Sequence, residues 1–400
     1  MTGSIPAGSA IDPAPARQTG RTGPRVAVVG GGILGLSTAV RLAENGASTV
    51  LLEQSQLGAG ASLRSFAWLN AKNKEPFEYH MLNVAGMAEY SLLALELGAG
   101  GWLHRVGTAD WASGEAARAV VEQRVERLHS WGYPSSWLTR DELRRIEPAI
   151  TLADDVERVA FYGNEGYVYV AELLSLLRLR AAELGVELLT GTGVSEIEQA
   201  AGAVVGVRTD RGERVSADAV AICAGPRTGA LAATLGVELP MRAEWPGLLA
   251  VTAPLPMRMR IAVQTPEVAI RPDGGGRLLL QAAQLDDEIT IATPTDPLPP
   301  SAHKTLERSV KLVPSLAEAR LESATIALRP STADGLPAVG ALPGVEGAYV
   351  ALAHSGVNLS PMLGRLLARE IVFGERHPCL ADFRPERFTP ALSGPVSRGG

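Results

Sequence analysis

A short β-branched run, a glycine-rich turn and an apolar-periodic segment follow one another between Arg25 and Gly46. Val26-Ala27-Val28-Val29 has the texture of a buried parallel strand. Gly30-Gly31-Gly32-Ile33-Leu34-Gly35 follows and fits G-x-G-x-x-G. Leu36, Ala39, Val40, Leu42 and Ala43 then recur at helical spacing, and Gly46 is placed to stop the helix. Ser48 to Leu52 reads as a second strand ending in Glu53, 18 positions past Gly35. Each part has a physical reason. Gly30 permits the tight turn, Gly32 lets backbone approach a pyrophosphate, and Gly35 lets helix pack on strand. The helix N-terminus offers free N–H groups and positive potential to phosphates. Glu53 can accept from ribose hydroxyls and disfavours a 2′-phosphate. The pattern specifies a dinucleotide site on an α/β fold, and by itself leaves FAD and NAD both open.

The 400 residues amount to two or three domains' worth of chain, and 46% hydrophobic content supplies a full-sized core. A net charge of −6 excludes a basic nucleic-acid binder. Two cysteines 156 positions apart, Cys223 and Cys379, exclude a disulfide framework and any Cys-based zinc site, so no metal is expected. Only four of the 37 basic residues are lysines (Lys72, Lys74, Lys304 and Lys311), an imbalance that genomic base composition accounts for. The first 24 residues hold no signal-peptide-like apolar run and no periodicity, so residues 1–24 and 389–400 are expected to be flexible tails. No apolar run reaches the ~18 residues of a membrane span. The expectation is a soluble, cytoplasmic protein.

Further motifs appear in a fixed order. They are Gly58-Ala59-Gly60-Ala61-Ser62-Leu63-Arg64-Ser65, Leu138 to Leu143 with Ile146-Glu147-Pro148, and Glu165-Gly166-Tyr167-Val168 ahead of a helix from Ala171 to Leu184. Gly193-Val194-Ser195-Glu196-Ile197, Ala219 to Pro226, Leu328 to Pro337 and Ala353 to Pro361 complete the series. From Arg25 to Gly374 the chain resembles the D-amino-acid oxidase, glycine oxidase and sarcosine oxidase family of FAD-dependent amine oxidoreductases. That resemblance implies a Rossmann-like FAD-binding domain of the glutathione-reductase type, α/β, interleaved with an α+β substrate domain built on an antiparallel sheet. The FAD-binding segments would be 25–80, 150–235 and 325–388, and the substrate domain 81–149 and 236–324. Substrate-domain strands are expected at Gly247–Val251, Val268–Arg271, Arg277–Gln281 and Glu288–Ala292.

The resemblance also implies site residues. Gly30, Gly32, Ile33, Leu34, Gly35, Glu53, Gln54, Ala61, Ser62, Arg64, Val194, Ala224 and Gly225 would meet the dinucleotide. Ser355, Gly356, Val357, Asn358 and Leu359 would bring a helix N-terminus to the flavin, where positive potential favours the reduced form. Arg329 is the candidate carboxylate anchor, since a planar guanidinium takes a carboxylate bidentately; a structural pairing with Asp334 or a backbone carbonyl is the competing role. His354 would tune charge or take a proton beside the flavin, or else donate to backbone. Arg64 faces flavin, substrate or phosphate, and Trp68, Tyr79 and Trp245 are candidate pocket walls.

Three departures from the family pattern bear on chemistry. No cysteine lies from Ala224 to Pro378, whereas sarcosine oxidases link flavin to a cysteine near the place of Ala327, so non-covalent FAD is expected. No tyrosine lies between Val170 and Ala348 to cover a substrate as in D-amino-acid oxidases. No lysine lies between Glu75 and Ala302 to activate oxygen, leaving Lys72 and Lys74 as the nearest candidates, with a solvated loop pair as the alternative. The expected activity is oxidation of an amine or amino acid by hydride transfer to FAD, giving an imine and, with oxygen, hydrogen peroxide. The alternatives are an FAD-dependent dehydrogenase of a hydroxy acid or amine that passes electrons to a quinone or carrier, and a non-catalytic dinucleotide-binding protein.

Overall fold

The computed structural model describes residues 23–98 and 100–389. The expected tails at 1–24 and 389–400 fall almost wholly outside these residues. The strand Arg25–Val29 sits inside a six-stranded sheet in the order 338–341, 348–352, 219–222, 25–29, 48–53, 187–190. All neighbours are parallel except the outermost pair, Ala338–Ala341 with Ala348–Leu352. Val26, Ala27 and Val28 are fully buried, as strands covered on both faces require. The first helix, Ile33–Glu44, packs against the last α-helix, Gly356–Phe373. Gly364 permits this: a Cβ there would fall 2.9 Å from the backbone of Ser37 and Thr38. Both helices therefore present their N-termini at one end of the sheet, the carboxyl ends of the strands, where α/β folds bind ligands.

The second large unit is an eight-stranded sheet in the order 321–328, 246–252, 278–281, 269–272, 262–264, 108–110, 158–162, 136–139. It is antiparallel apart from the pair Ala262–Gln264 and Thr108–Asp110. The observed packing crosses the expected segment bounds at three places. Arg158–Tyr162 and Leu321–Leu328 belong to this sheet, because their ladders run to Thr108–Asp110, Ser136–Thr139 and Pro246–Thr252. Helix Phe77–Glu96 lies instead on the last helix of the dinucleotide unit. Of the expected strands, three lie within a residue of those observed. Glu288–Ala292 is not a strand; a 3-10 turn at Ala283–Glu288 occupies the approach to it. A small sheet of Trp68–Leu69, Gly166–Val168 and Leu103–His104 joins the two large units. Among the described residues no helix is long and apolar enough to cross a membrane.

Candidate active site

Two adjoining cavities open at the junction of the sheets. The first, about 400 Å³, runs over the carboxyl end of the parallel sheet. Its floor is the glycine turn. Gly30 has φ +106°, and an added Cβ would meet Cys223 O at 2.5 Å, so only glycine fits. At Gly35 a Cβ would sit 1.9 Å from Gly30 O, which is why the helix can begin so close to the strand. Gly35 does not line the cavity; its part is this close approach.

The helix N-terminus carries no acidic residue in its first turn. Among the described residues the N–H groups of Gly32 and Leu34 meet no acceptor, while Ile33 N donates to Ser62 Oγ at 3.0 Å. Orphan donors and a helix dipole together suit a pyrophosphate. Among the described residues Glu53 is the only carboxylate in the lining. Gly31 N donates to its Oε2 at 2.7 Å and Ser55 N to its Oε1 at 2.9 Å, which fixes the carboxylate at the strand end with lone pairs left for a ribose. Arg227 donates to Gln54 Oε1 at 2.7 Å and to Val194 O at 3.2 Å, closing the far end. The cradle therefore fits a dinucleotide. Gln54, Ala61, Ser62, Arg64, Val194, Ala224, Gly225, Gly356 and Val357 all line it. Cys223 lines it as well, and burial pushes its thiol up to about 12, so it stays protonated.

The second cavity, about 450 Å³, shares Ala61, Arg64, Ser65, Ala327, Pro330, His354 and Val357 with the first. Trp68, Tyr79, Trp245, Arg329, Ser355 and Asn358 line it too. Leu359 lines neither; it is fully buried against Gly86 in the helix core. Pro361 lacks the N–H that would bond Val357 O, and Tyr90 Oη donates to that carbonyl at 2.5 Å instead. The helix entry is thereby pinned at the cavity. Tyr79 Oη and Ser355 Oγ are 2.8 Å apart, which ties the cavity wall to the helix cap.

One wall comes from two distant segments laid side by side. Arg242 N donates to Ser331 O and Arg329 N to Trp245 O, at 3.0 and 2.9 Å. This pairing stacks Trp245 on His354, with ring centroids 4.7 Å apart, and brings Arg242 to 3.9 Å and Arg329 to 5.0 Å from the indole. Arg329 packs flat on Gly247, where a Cβ would collide with its guanidinium at 2.3 Å. It donates to Asp286 Oδ2 at 2.7 Å and to Pro246 O at 3.4 Å. The acidic partner is therefore Asp286; Asp334 pairs with Arg387. Burial raises the Asp286 carboxyl, against the pull of Arg329. His354 donates to no backbone carbonyl among the described residues. Burial, with the charges of Lys74, Arg329 and Arg242, pushes its imidazole down to about 3.

Lys72 does not reach either cavity. Its side chain is fully buried, with Nζ 3.1 Å from Asp110 Oδ2 and between the Trp68 and Tyr162 rings. The cause is Glu165, whose buried Oε1 accepts from both Ala71 N and Lys72 N at 3.0 Å and turns the loop so that Lys72 points inward. Lys74 lines the second cavity instead, and burial lowers its ammonium to about 8. Sequence reasoning also missed Asn70, Asn73, Arg242, Gln264 and Gln281, which lie in the same wall. Only Lys74 carried any signal, as the other lysine of its loop. Asn70 Oδ1 and Asn358 Oδ1 are buried with no hydrogen-bond partner among the described residues.

Comparison with known proteins accounts for this arrangement. A family model described as FAD dependent oxidoreductase matches residues 25–370. A glycine oxidase of Geobacillus kaustophilus (strain HTA426) is 28% identical over 378 residues, covering 91% of this chain and 96% of that protein. A glycine oxidase of Pseudomonas aeruginosa is 28% identical over 361 residues, covering 86% of this chain and 93% of that protein. The crystal structure of glycine oxidase from Geobacillus kaustophilus superposes with a TM-score of 0.81 at 27% identity, covering 92% of this chain and 99% of that one.

Proposed function

Because this chain belongs to the family of FAD dependent oxidoreductases and takes FAD as its cofactor, we propose that it oxidises the carbon–nitrogen bond of an amino acid, or of a related primary or secondary amine that carries a carboxylate. The observation that carries this reading is the second cavity. It adjoins the dinucleotide cleft, is lined by Arg329, Arg242, Lys74 and Arg64, and among the described residues has no carboxylate in its lining.

Bound FAD supplies a two-electron acceptor for the hydride on the carbon that bears nitrogen. The protein supplies the rest. Arg329 takes the substrate carboxylate and fixes which carbon faces the shared wall. Trp68, Tyr79 and Trp245 exclude water around it. The positive potential of Arg329, Arg242 and Lys74 disfavours a substrate ammonium, so the amine binds with its nitrogen lone pair free, the form that can release hydride. His354, held neutral at the same wall, adds no charge and accepts a hydrogen bond from the amine N–H through an unprotonated ring nitrogen. The substrate loses a hydride from carbon and a proton from nitrogen, and the imine hydrolyses to a carbonyl compound and the amine. Dioxygen, taking up two electrons and two protons, leaves as hydrogen peroxide. FAD is held non-covalently in this reading, since Ala327 stands at the shared wall and the Cys223 thiol is kept protonated.

A second acceptor reading rests on Lys72. Its sequestration on Asp110 removes it from any role in oxygen chemistry, and a quinone or carrier is the alternative oxidant. The test is anaerobic bleaching of the purified protein's visible spectrum across D- and L-amino acids, N-methylated glycines and hydroxy acids, followed by peroxide measurement on admitting air. Bleaching by carboxylate-bearing amines with stoichiometric peroxide is expected. Bleaching by hydroxy acids alone overturns the amine assignment. Reduced protein that air leaves reduced overturns the oxidase assignment.

A further inference from the structure

The charges in the substrate cavity are not equivalent. Arg329 is paired with Asp286 and keeps the rest of its guanidinium for one substrate carboxylate. Lys74 and Arg242 make no hydrogen bond or ion pair with any carboxylate among the described residues, though both line the cavity and both bear on His354. Lys74 lies 5.9 Å from the Tyr79 ring and feels the buried Glu165 carboxyl, and Arg242 rests on the Trp245 face. Arg64, shared with the dinucleotide cleft, faces phosphate as readily as substrate. His354 is neutral. Among the described residues no acid lines the cavity, and it presents two cations, Lys74 and Arg242, beyond the Arg329–Asp286 pair; the nearest carboxyl to act on Lys74, Glu165, lies outside the lining. A charged amine without acid groups would meet repulsion there, and a single carboxylate on Arg329 would leave the half-buried Lys74 and the exposed Arg242 without an anionic partner in the cavity. The two free cations also come from different parts of the fold. Lys74 lies in the loop before helix Phe77–Glu96, and Arg242 lies ahead of strand Pro246–Thr252. Beyond the carboxylate placed by Arg329, a cavity of about 450 Å³ that also presents Lys74 and Arg242 has cations to meet a second anionic group.

We propose that the substrate is an amine bearing two carboxylates, one placed by Arg329 and the second held by Lys74 and Arg242. This rests on the reading of the cavity as the site of amine oxidation and specifies its substrate class.

The test uses the full chain with FAD bound and probes that cannot be oxidised: glutarate, the monocarboxylate butyrate, and methylphosphonate, which concentrates its charge on one group. Binding is read from perturbation of the flavin spectrum and from the rise in Tm. Glutarate is expected to bind ~10-fold or more tightly than butyrate, a difference typical of one desolvated charge contact. Lys74→Met and Arg242→Gln should each bring glutarate toward the butyrate value and leave butyrate nearly unmoved, while Lys74→Arg keeps the preference. The unliganded Tm of each variant checks that the fold is intact. Equal binding of glutarate and butyrate, equal weakening of both by the substitutions, no binding of either, or tighter binding of methylphosphonate than of glutarate each overturns the proposal. Anaerobic bleaching keeps the two levels apart. If monocarboxylate amines bleach the flavin as well as dicarboxylate ones, the substrate class fails and the amine-oxidation reading stands; if no amine bleaches it, that reading fails as well.

Discussion

The two adjoining cavities are built on different principles. The dinucleotide cleft is made of backbone: a turn that tolerates no side chain at Gly30 or Gly35, orphan N–H groups at the end of helix Ile33–Glu44, and one carboxylate, Glu53, clamped by Gly31 N and Ser55 N. The substrate cavity is made of side chains. Its charged wall exists because residues 240–246 and 328–333 pair along their length, which stacks Arg242, Trp245, His354 and Arg329. A backbone site is rigid, and has one solution. A side-chain site can be rewritten by single substitutions that leave the first site untouched. Each variant below tests whether the two are separable in that way.

The largest effect belongs to Gly35→Ala. Its Cβ has no room within 1.9 Å of Gly30 O, and the obstacle is backbone rather than a flexible side chain. Overpacking of this kind costs ~3 kcal/mol or more. The purified protein is expected to lose its visible flavin absorbance and much of its Tm. A yellow, stable Gly35→Ala protein would show that the turn is not the rigid element described.

Next is Arg329→Met, on the other side of the comparison. Losing a charged anchor for a carboxylate costs ~2–3 kcal/mol, so KM for carboxylate amines should rise ~100-fold while FAD absorbance is unchanged. The substitution also strands Asp286 in a buried place, and Tm should fall. Adding Asp286→Asn should restore Tm without restoring KM, since the neutral amide needs no counterion. Recovery of KM in the double variant, or loss of FAD in the single one, would break the separation of the two sites.

The same contrast explains what could be read without coordinates. The cleft was specified by local features: Val26–Val29, the glycines and Glu53 lie within 28 consecutive positions, and their spacing carries the geometry. The motif Ala353 to Pro361 placed the last helix for the same reason, since it is a strand-to-helix turn. Lys72 and Lys74 show where this stops. Two residues apart in a loop, they diverge because Glu165, over ninety positions away, accepts from the backbone N–H groups of Ala71 and Lys72. The partner of Arg329 was sought at Asp334 or a backbone carbonyl; the carbonyl is Pro246 O, and the acid proved to be Asp286, in a 3-10 turn just ahead of the segment where a strand had been expected. Long-range pairing leaves no local periodicity to detect.

A smaller effect should follow from titrating Lys74. Its ammonium is lowered to about 8, so it is charged below that pH and neutral above. Glutarate affinity should then hold constant below pH 8 and fall above it, as the proton that supplies the attraction is lost. Of the groups around it, Tyr79 is pushed above its ordinary value and His354 is neutral down to about 3, while Glu165 has its own carboxyl raised by burial, so the substitution that changes Lys74 alone is the control. Lys74→Arg should move the fall out of the measurable range. A fall that persists in that variant would assign it to another group.

The smallest expected effect is that of Tyr79→Phe. It removes one hydroxyl, whose partner Ser355 Oγ lies 2.8 Å away at the cap of the last helix. Ser355 is buried, so its hydroxyl loses a partner that water cannot fully replace, and the cost should be ~1 kcal/mol. That is enough to lower Tm by a few degrees, and too little to expel FAD, because the backbone at Gly356 and Val357 is held independently by Tyr90 on Val357 O. The ring itself remains as cavity wall, so KM should change by less than ~3-fold, within what a sub-kilocalorie loss allows. A larger fall in flavin content would mean that the helix entry is set from the substrate side, and the two cavities would then be one site rather than two.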